Sequence, residues 1–343
     1  MRILTFDIES CTGNPLDGSL CSFGYVLCEN GVVAGGGDIL CNPLPERFLL
    51  GGFGKSIGLK LAYPTSHFRR QPRFDRRYCE IKALFDSVDL VLGFAVQNDL
   101  RYLNNACDSF SLPRIPFKFL DVQLLGGLVL PEHRNHGLKA FAEQFNIEFI
   151  EHRSDEDARV TYEIFARLVE LSGKTLTELV EGYGITYGVN GAEGHRCCYS
   201  EDIITERLAT CSRSTRKLLV NHYASIAEGT VSKRGSALEG FSVAIAESVY
   251  AKDLELARHI VATVAAEGGT FDSSILSCGM FVMAEGDKLG GRVKHLNRGC
   301  RVVTVEEFKS LCGELESYPF DDRQIMREHY FALCSDREEK TEK

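Results

Sequence analysis

Tryptophan is absent from these 343 residues, methionine occurs only 4 times and proline 9 times. No apolar run reaches the roughly 18 residues that a membrane span requires, so no membrane-crossing segment is expected. An excess of positive charge is missing too. The 39 Lys and Arg face 48 Asp and Glu, for a formal net charge of −9. That balance argues against a chain that coats nucleic acid without selectivity, and it leaves room for local basic patches. The first residues lack the charged, apolar and small-residue order of a signal peptide. The 13 cysteines follow no repeated C-x-x-C pairing, which speaks against a zinc or disulfide framework. These absences lead us to expect a cytoplasmic protein with reduced thiols, several of them filling the core.

The remaining composition, 44% apolar and 25% charged, is that of a globular protein. The length suits about two domains. Residues 2–8 read as a strand, and 22–40 as two strands around the turn signal Glu29-Asn30-Gly31. LVLGFAV (90–96) reads as a buried strand fed by a helix near 78–87, and a helix follows from 98, with Asn98 able to cap it. FKFLDVQLL (117–125) reads as a strand running into a helix. Residues 137–146 and 155–172 carry apolar residues at helical spacing. Strands come first and strand–helix alternation follows, so 1–172 is expected to be an α/β domain with a mixed sheet flanked by helices. The pattern weakens over 173–236, which reads as a linker or accessory region with short helices at 201–209 and 214–226. From 237 to 315 a compact α/β unit is expected: strands at 240–250, 280–286 and 300–305, and helices at 255–269, near 290–298 and at 306–315. The charged stretch 316–343 reads as a peripheral tail.

Two basic patches stand out. HFRRQPRFDRR (67–77) has five arginines in eleven residues, interleaved with aromatics, a combination suited to phosphate and base. Arg213, Arg216 and Lys217 read as a solvated face. HRCC (195–198) lacks the C-x₂₋₄-C spacing of a zinc site and reads as ordinary thiols.

The acids carry more information. Asp7 and Glu9 are two residues apart in an apolar strand, so both side chains leave one face. Two close carboxylates on a covered sheet repel each other unless a cation lies between them. Asp99 follows the strand 90–96. An acid there suits the helix dipole, and the carboxyl end of a buried strand is also where ligand sites open in α/β sheets. His152 and Asp157 precede a helix, and Ser154 with Asp157 has the spacing of a capping box. Each residue has a structural explanation by itself. Taken together, four acids and a histidine could build a site for two divalent cations about 3.5–4 Å apart. Oxygen ligands suit Mg²⁺ or Mn²⁺ rather than zinc. The histidine would be left to take a proton from water.

On these residues the first 172 positions resemble the DEDDh 3′–5′ exonucleases, the group that includes the epsilon proofreading subunit of bacterial replicative polymerase and RNase T. Asp7 and Glu9 match the first motif, D-x-E at the end of strand one. CSFGYVLCENG (21–31) resembles the strand-two hairpin of the epsilon-like members. Asp99 in GFAVQNDLRYL matches the aspartate of the second motif, although Phe94-Ala95 replace its His-Asn and Asn98 replaces its Phe. His152 and Asp157 fit the H-x-x-x-x-D spacing of the third. The resemblance implies an RNase H-like exonuclease fold. It also implies that Asp7, Glu9, Asp99 and Asp157 hold two cations, Mg²⁺ or Mn²⁺, and that His152 is the general base. The substrate implied is a single-stranded or frayed DNA 3′ end, with RNA as the alternative, cut to nucleoside monophosphates in repair or proofreading. Phe94, Phe53 or Phe68 could stack the last bases, though packing suits them equally.

Residues 237–315 resemble a BRCT domain in the strands FSVAIAE and FVMAE, the pair Gly268-Gly269, and VVTVEEF, whose Phe308 falls where that family often buries an aromatic. Ala246-Glu247 stand where some members carry the phosphate-binding Ser/Thr-Gly, and Lys294 lies near the place of the partner lysine. The resemblance therefore implies protein docking or DNA tethering. The alternative of a different class is a non-catalytic adaptor in which this unit carries the function.

Overall fold

The computed structural model describes residues 1–12, 20–43, 61–133, 137–288, 296–297 and 299–334. Phe53, Lys294 and all but two residues of the helix expected near 290–298 lie outside them. Two compact units are present, Met1–Glu206 with the chain from His329 onward, and Arg207–Glu328.

In the first unit β1 (Arg2–Ser10), β2 (Leu20–Glu29) and β3 (Val32–Leu40) form an antiparallel meander. Asn30 and Gly31 both take positive φ, 51° and 86°, as the tight turn between β2 and β3 requires. The short helix α1 (Thr65–Phe68) and α2 (Phe74–Asp86) lead to β4 (Leu90–Gly93), which pairs parallel with β1. α3 (Gln97–Ser109), β5 (Phe117–Asp121), α4 (Val122–Val129), α5 (Leu138–Gln144) and α6 (Ser154–Ser172) follow. The mixed α/β sheet expected of this region is observed. Its core on one face is aromatic. Phe6 stacks on Phe23 at 5.6 Å and Phe85 on Phe117 at 4.3 Å, with Phe6 edge-on to Phe85.

The sheet does not stop at 172. After α7 (Leu176–Gly182), the strands β6 (Gly188–Gly191) and β7 (Gly194–Arg196) extend it to seven strands, in the order β3-β2-β1-β4-β5-β6-β7. Part of the expected linker is thus sheet. Gly188 allows this, because a Cβ there would lie 2.2 Å from the Phe119 ring on β5. HRCC serves the same junction. The Cys198 thiol accepts N–H bonds from Asp121 and Gly188, both at 3.2 Å, and donates to the Phe119 carbonyl.

α8 (Glu201–Thr210) carries residues of both units. In the second, α9 (Arg213–Thr230) precedes β8 (Ser242–Ile245), α10 (Glu247–Tyr250), α11 (Leu254–Ala266), β9 (Thr270–Phe271), β10 (Met280–Met283), β11 (Arg301–Thr304) and α12 (Val305–Cys312). The strand expected over 240–250 ends at Ile245 and turns into helix. The four strands pair parallel in the order β11-β10-β8-β9. Phe308 is fully buried. Of the small basic patch, Arg213 pairs with Glu247, while Arg216 donates to the carbonyls of Cys211 and Tyr250.

The expected tail also contains ordered structure, the helix α13 (Asp322–Cys334). Ile325, Met326 and Tyr330 are buried, a stripe at helical spacing within a charged run. Asp322 accepts from the Tyr223 hydroxyl at 2.6 Å and pairs with Arg258, so the start of α13 is tied to α9 and α11. No helix among the described residues is long and apolar enough to cross a membrane.

Candidate active site

β1 lies inside the sheet, with Phe85 of α2 packed against one face and α6 against the other. Phe6 turns toward the aromatic core, and period-two alternation sends Asp7 and Glu9 to the opposite face. Their cross-strand partners on β2 are Gly24 and Ser22. Gly24 brings α6 close, since a Cβ there would lie 1.9 Å from the Ser154 carbonyl carbon. One turn into that helix is Asp157. Carboxylate oxygens of Asp7, Glu9 and Asp157 all lie within 4.8 Å of one another.

Asp99 approaches from another side. β1 runs past the end of β4, whose pairing with it stops at Thr5–Leu92, and the Ile8 N–H is left without a strand partner there. Asp99 Oδ1 accepts that N–H at 3.2 Å, and its side chain is only 8% exposed as a residue. It stands beside the group of three rather than within it. His152 lies at the rim with its side chain about half exposed (48%) and its Nδ1 3.8 Å from Glu9 Oε1. Its φ of 65° is left-handed, and its N–H donates to Asp157 Oδ2 at 3.1 Å, so one carboxylate both faces the cluster and fixes the turn.

Two readings of local chemistry differ from expectation. Asn98 does not cap α3, which begins a residue earlier with Val96 at its cap. Buried Asp121 does related work instead, accepting from Ala95 N–H at 3.0 Å and capping α4 through Gln123 N–H at 2.9 Å. Ser154 does not cap α6 either. Its hydroxyl lies 2.6 Å from the Ser22 hydroxyl and donates to Asp38 Oδ1 at 3.1 Å, and Ser22 also donates to Asp38. Asp38 thus ties β2, β3 and the start of α6 together. Phe68 is fully buried and Phe94 packs edge-on against Phe141 at 6.1 Å, so both rings serve packing.

Electrostatically the site is strained. Burial, followed by repulsion from Asp99, Asp157, Glu9 and Asp38, holds the Asp7 carboxyl well above the usual range. Burial, then Asp157 and Asp38, pushes Glu9 up to about 7. Burial also pushes Asp157 up to about 7, against the lowering effect of the His152 N–H. Asp99 is raised by burial, although the Ile8 N–H bond opposes the shift. Among the described residues no Lys or Arg pairs with any of the four. A hard divalent cation relieves this kind of crowding, and an all-oxygen donor set is the one it selects. The residues fit such an ion.

Residues 69–165 match the family model described as exonuclease (RNase_T). The match contains Asp99, His152 and Asp157 and begins after β1, so Asp7 and Glu9 join the site through geometry. No curated protein matches the chain. Among solved structures, exonuclease X in complex with 5′-overhanging duplex DNA is 15% identical and has a TM-score of 0.39, with 52% of this chain and 97% of that one covered. The nuclease domain of 3′hExo, a DEDDh family member bound to rAMP, is 14% identical at a TM-score of 0.41, with 49% and 90% covered. The zinc-bound E. coli exonuclease I complex with single-stranded DNA is 15% identical at 0.42, with 53% and 43% covered.

Proposed function

We propose that this chain is a metal-dependent 3′–5′ exonuclease that releases nucleoside monophosphates from single-stranded or frayed DNA 3′ ends, acting in the cytoplasm in repair or proofreading. The observation that carries the reading is the convergence of Asp7, Glu9 and Asp157 within 4.8 Å, with His152 3.8 Å from Glu9. The exonuclease family match over 69–165 supports it.

In this reading Asp7, Glu9, Asp99 and Asp157 hold two Mg²⁺ or Mn²⁺ ions. Bound there, such ions supply Lewis acidity for water and for the leaving 3′ oxygen. The carboxylates are held ready by backbone groups, Asp99 by Ile8 N–H and Asp157 by His152 N–H. His152 takes the proton of the attacking water. Nδ1 faces Glu9 Oε1 at 3.8 Å, so that carboxylate is placed to attract the ring once it has taken the proton. Position at the exposed rim lets the imidazole pass that proton on to solvent.

We read residues 237–315 as a BRCT-like unit for docking a protein or tethering DNA. The small parallel sheet, with α11 between β8 and β9, and the buried Phe308 support that part.

The test is digestion of end-labelled single-stranded DNA and RNA with Mg²⁺ or Mn²⁺. Mononucleotide release from the 3′ end, abolished in Asp7→Ala, is expected, and the two substrates rank DNA against RNA. No digestion of either strand, or digestion unchanged in Asp7→Ala, overturns the assignment.

A further inference from the structure

The basic stretch 67–77 is outside the carboxylate cluster, and its aromatics divide into two roles. Phe68 and Phe74 are buried, 1% and 2% exposed, and offer no ring face to a ligand. Tyr63 and His67 instead stack on each other, with centroids 5.1 Å apart and planes 19° from parallel. Tyr63 also meets the Phe68 ring edge-on at 5.8 Å and packs on the cluster Cys11, Cys21, Leu61 and Phe68. That cluster is fastened to the carboxyl end of β1. Cys11 is two residues past Glu9, and the Cys21 thiol donates to the Glu9 carbonyl at 3.3 Å. The ring pair is thus built against the strand end that carries the site. Its surroundings agree, because the Tyr63 phenol is raised by burial and then by Asp38 and Asp155, with Arg153 opposing.

Arg69, Arg70 and Arg73 follow on the turn between α1 and α2, all exposed. The turn is anchored to the end of the meander by the Asn42 N–H, which donates to the Pro72 carbonyl at 2.9 Å. In a chain of net charge −9, these residues place three exposed guanidinium groups within a few positions of the stacked ring pair.

We propose that Tyr63, His67, Arg69, Arg70 and Arg73 form a binding surface for single-stranded nucleic acid, holding the strand upstream of the end that enters the site. The arginines take backbone phosphates, and the exposed His67 side of the ring pair takes a base. A duplex keeps its base faces covered, so the rings select single strands. An acidic peptide would satisfy the cations and leave the rings without a planar partner. The direction in which the strand runs rests on the exonuclease reading; binding itself does not.

The experiment uses the full chain in EDTA, so that no strand is cut, and follows the anisotropy of a fluorescent oligothymidylate of about 20 nucleotides across a salt series. Arg69→Ala/Arg70→Ala/Arg73→Ala is expected to weaken binding at least about tenfold at low salt and to reduce the slope of log K against log salt by about 2, roughly 0.7 for each phosphate left without its arginine. The corresponding Lys variant restores the slope. Tyr63→Ala/His67→Ala weakens binding about tenfold with the slope unchanged, as removal of stacking requires. Cleavage of the p-nitrophenyl ester of thymidine monophosphate, too short to reach the surface, stays at the wild-type rate in the arginine variant. Unaltered binding and slope in the arginine variant, or equal competition by polyglutamate, overturns the proposal. A wild-type protein that binds strands through these residues but cuts neither substrate sinks the exonuclease reading alone. One that cuts strands while binding ignores the substitutions sinks this proposal alone.

Discussion

Gly24 on β2 and Ser154 at the start of α6 touch backbone to backbone. A Cβ on Gly24 would lie 1.9 Å from the Ser154 carbonyl carbon and 2.1 Å from its oxygen. Gly24 pairs with Asp7 on one side and with Asp38 on the other. The missing side chain therefore sets the height of α6 above the sheet, and with it the distance from Asp157 to Asp7. Gly24→Ala must move helix or strand. It is expected to cost roughly 1–3 kcal/mol, and about 10²-fold in activity if the carboxylates part by an ångström. Gly35→Ala on β3, where nothing lies within 4 Å, is the control and leaves both unchanged. Thermal melting and cleavage rate measured on the two variants decide it.

Metal removal should invert the ordinary effect of pH on stability. Glu9 and Asp157 are both pushed up to about 7, burial being the main cause, whereas the unfolded chain returns them to the ordinary carboxylate range. Between those values the folded protein binds more protons than the unfolded one, so stability falls as pH rises through the folded values. In EDTA the folded protein is expected to be more stable near about pH 5.5 than near about pH 7.5, by on the order of 1–3 kcal/mol, and to melt at a higher temperature there. Mg²⁺ binds the ionised carboxylates and closes the gap from the alkaline side. A melting temperature in EDTA that climbs with pH across this window overturns the account of the cluster.

Five side chains of the site are legible in the sequence because each sits where local pattern is strong: Asp7 and Glu9 in an apolar strand, Asp99 after one, His152 and Asp157 ahead of a long amphipathic helix. Asp38 is not. It follows three glycines on a half-exposed strand, and its place depends on the register Gly24–Asp38, which no local pattern encodes. Asp121 reads only as the end of a strand, although its carboxylate organises the turn before Asp99 from the neighbouring strand. β6 and β7 are hidden for a related reason. Strands of four and three residues, rich in glycine, have no alternation to read, and it is the Phe119 ring against Gly188 that seats them. α13 is masked by its charges, since among its described side chains only Ile325, Met326 and Tyr330 mark a buried side.

Asp38 should separate bracket from charge. Asp38→Asn keeps an oxygen to accept from Ser22 and Ser154 while removing a negative charge that raises Asp7 and Glu9. Activity is expected to stay within about threefold, and the acidic limb of the rate profile to move to lower pH as those carboxyls ionise more readily. Asp38→Ala removes the acceptor and leaves two buried hydroxyls without it, at roughly 1–3 kcal/mol, and loosens the start of α6. A pH–rate profile of both variants is the measurement. Equal losses in Asn and Ala would mean that the charge, and not the bracket, matters.

His152 couples backbone to chemistry, and two substitutions read the two parts separately. His152→Ala removes the imidazole from the rim and is expected to lower the cleavage rate at neutral pH by about 10²–10⁴-fold. Its half-exposed side chain contributes little packing, so folding should survive the change. The left-handed φ of 65° stays, because the N–H bond to Asp157 Oδ2 requires it. Alanine tolerates that conformation poorly and glycine freely, so His152→Gly should be more stable than His152→Ala by roughly 1–2 kcal/mol, with the same fall in rate. Should His152→Gly recover activity along with stability, the ring's contribution would be to the turn, and the general base would have to be sought elsewhere in the site.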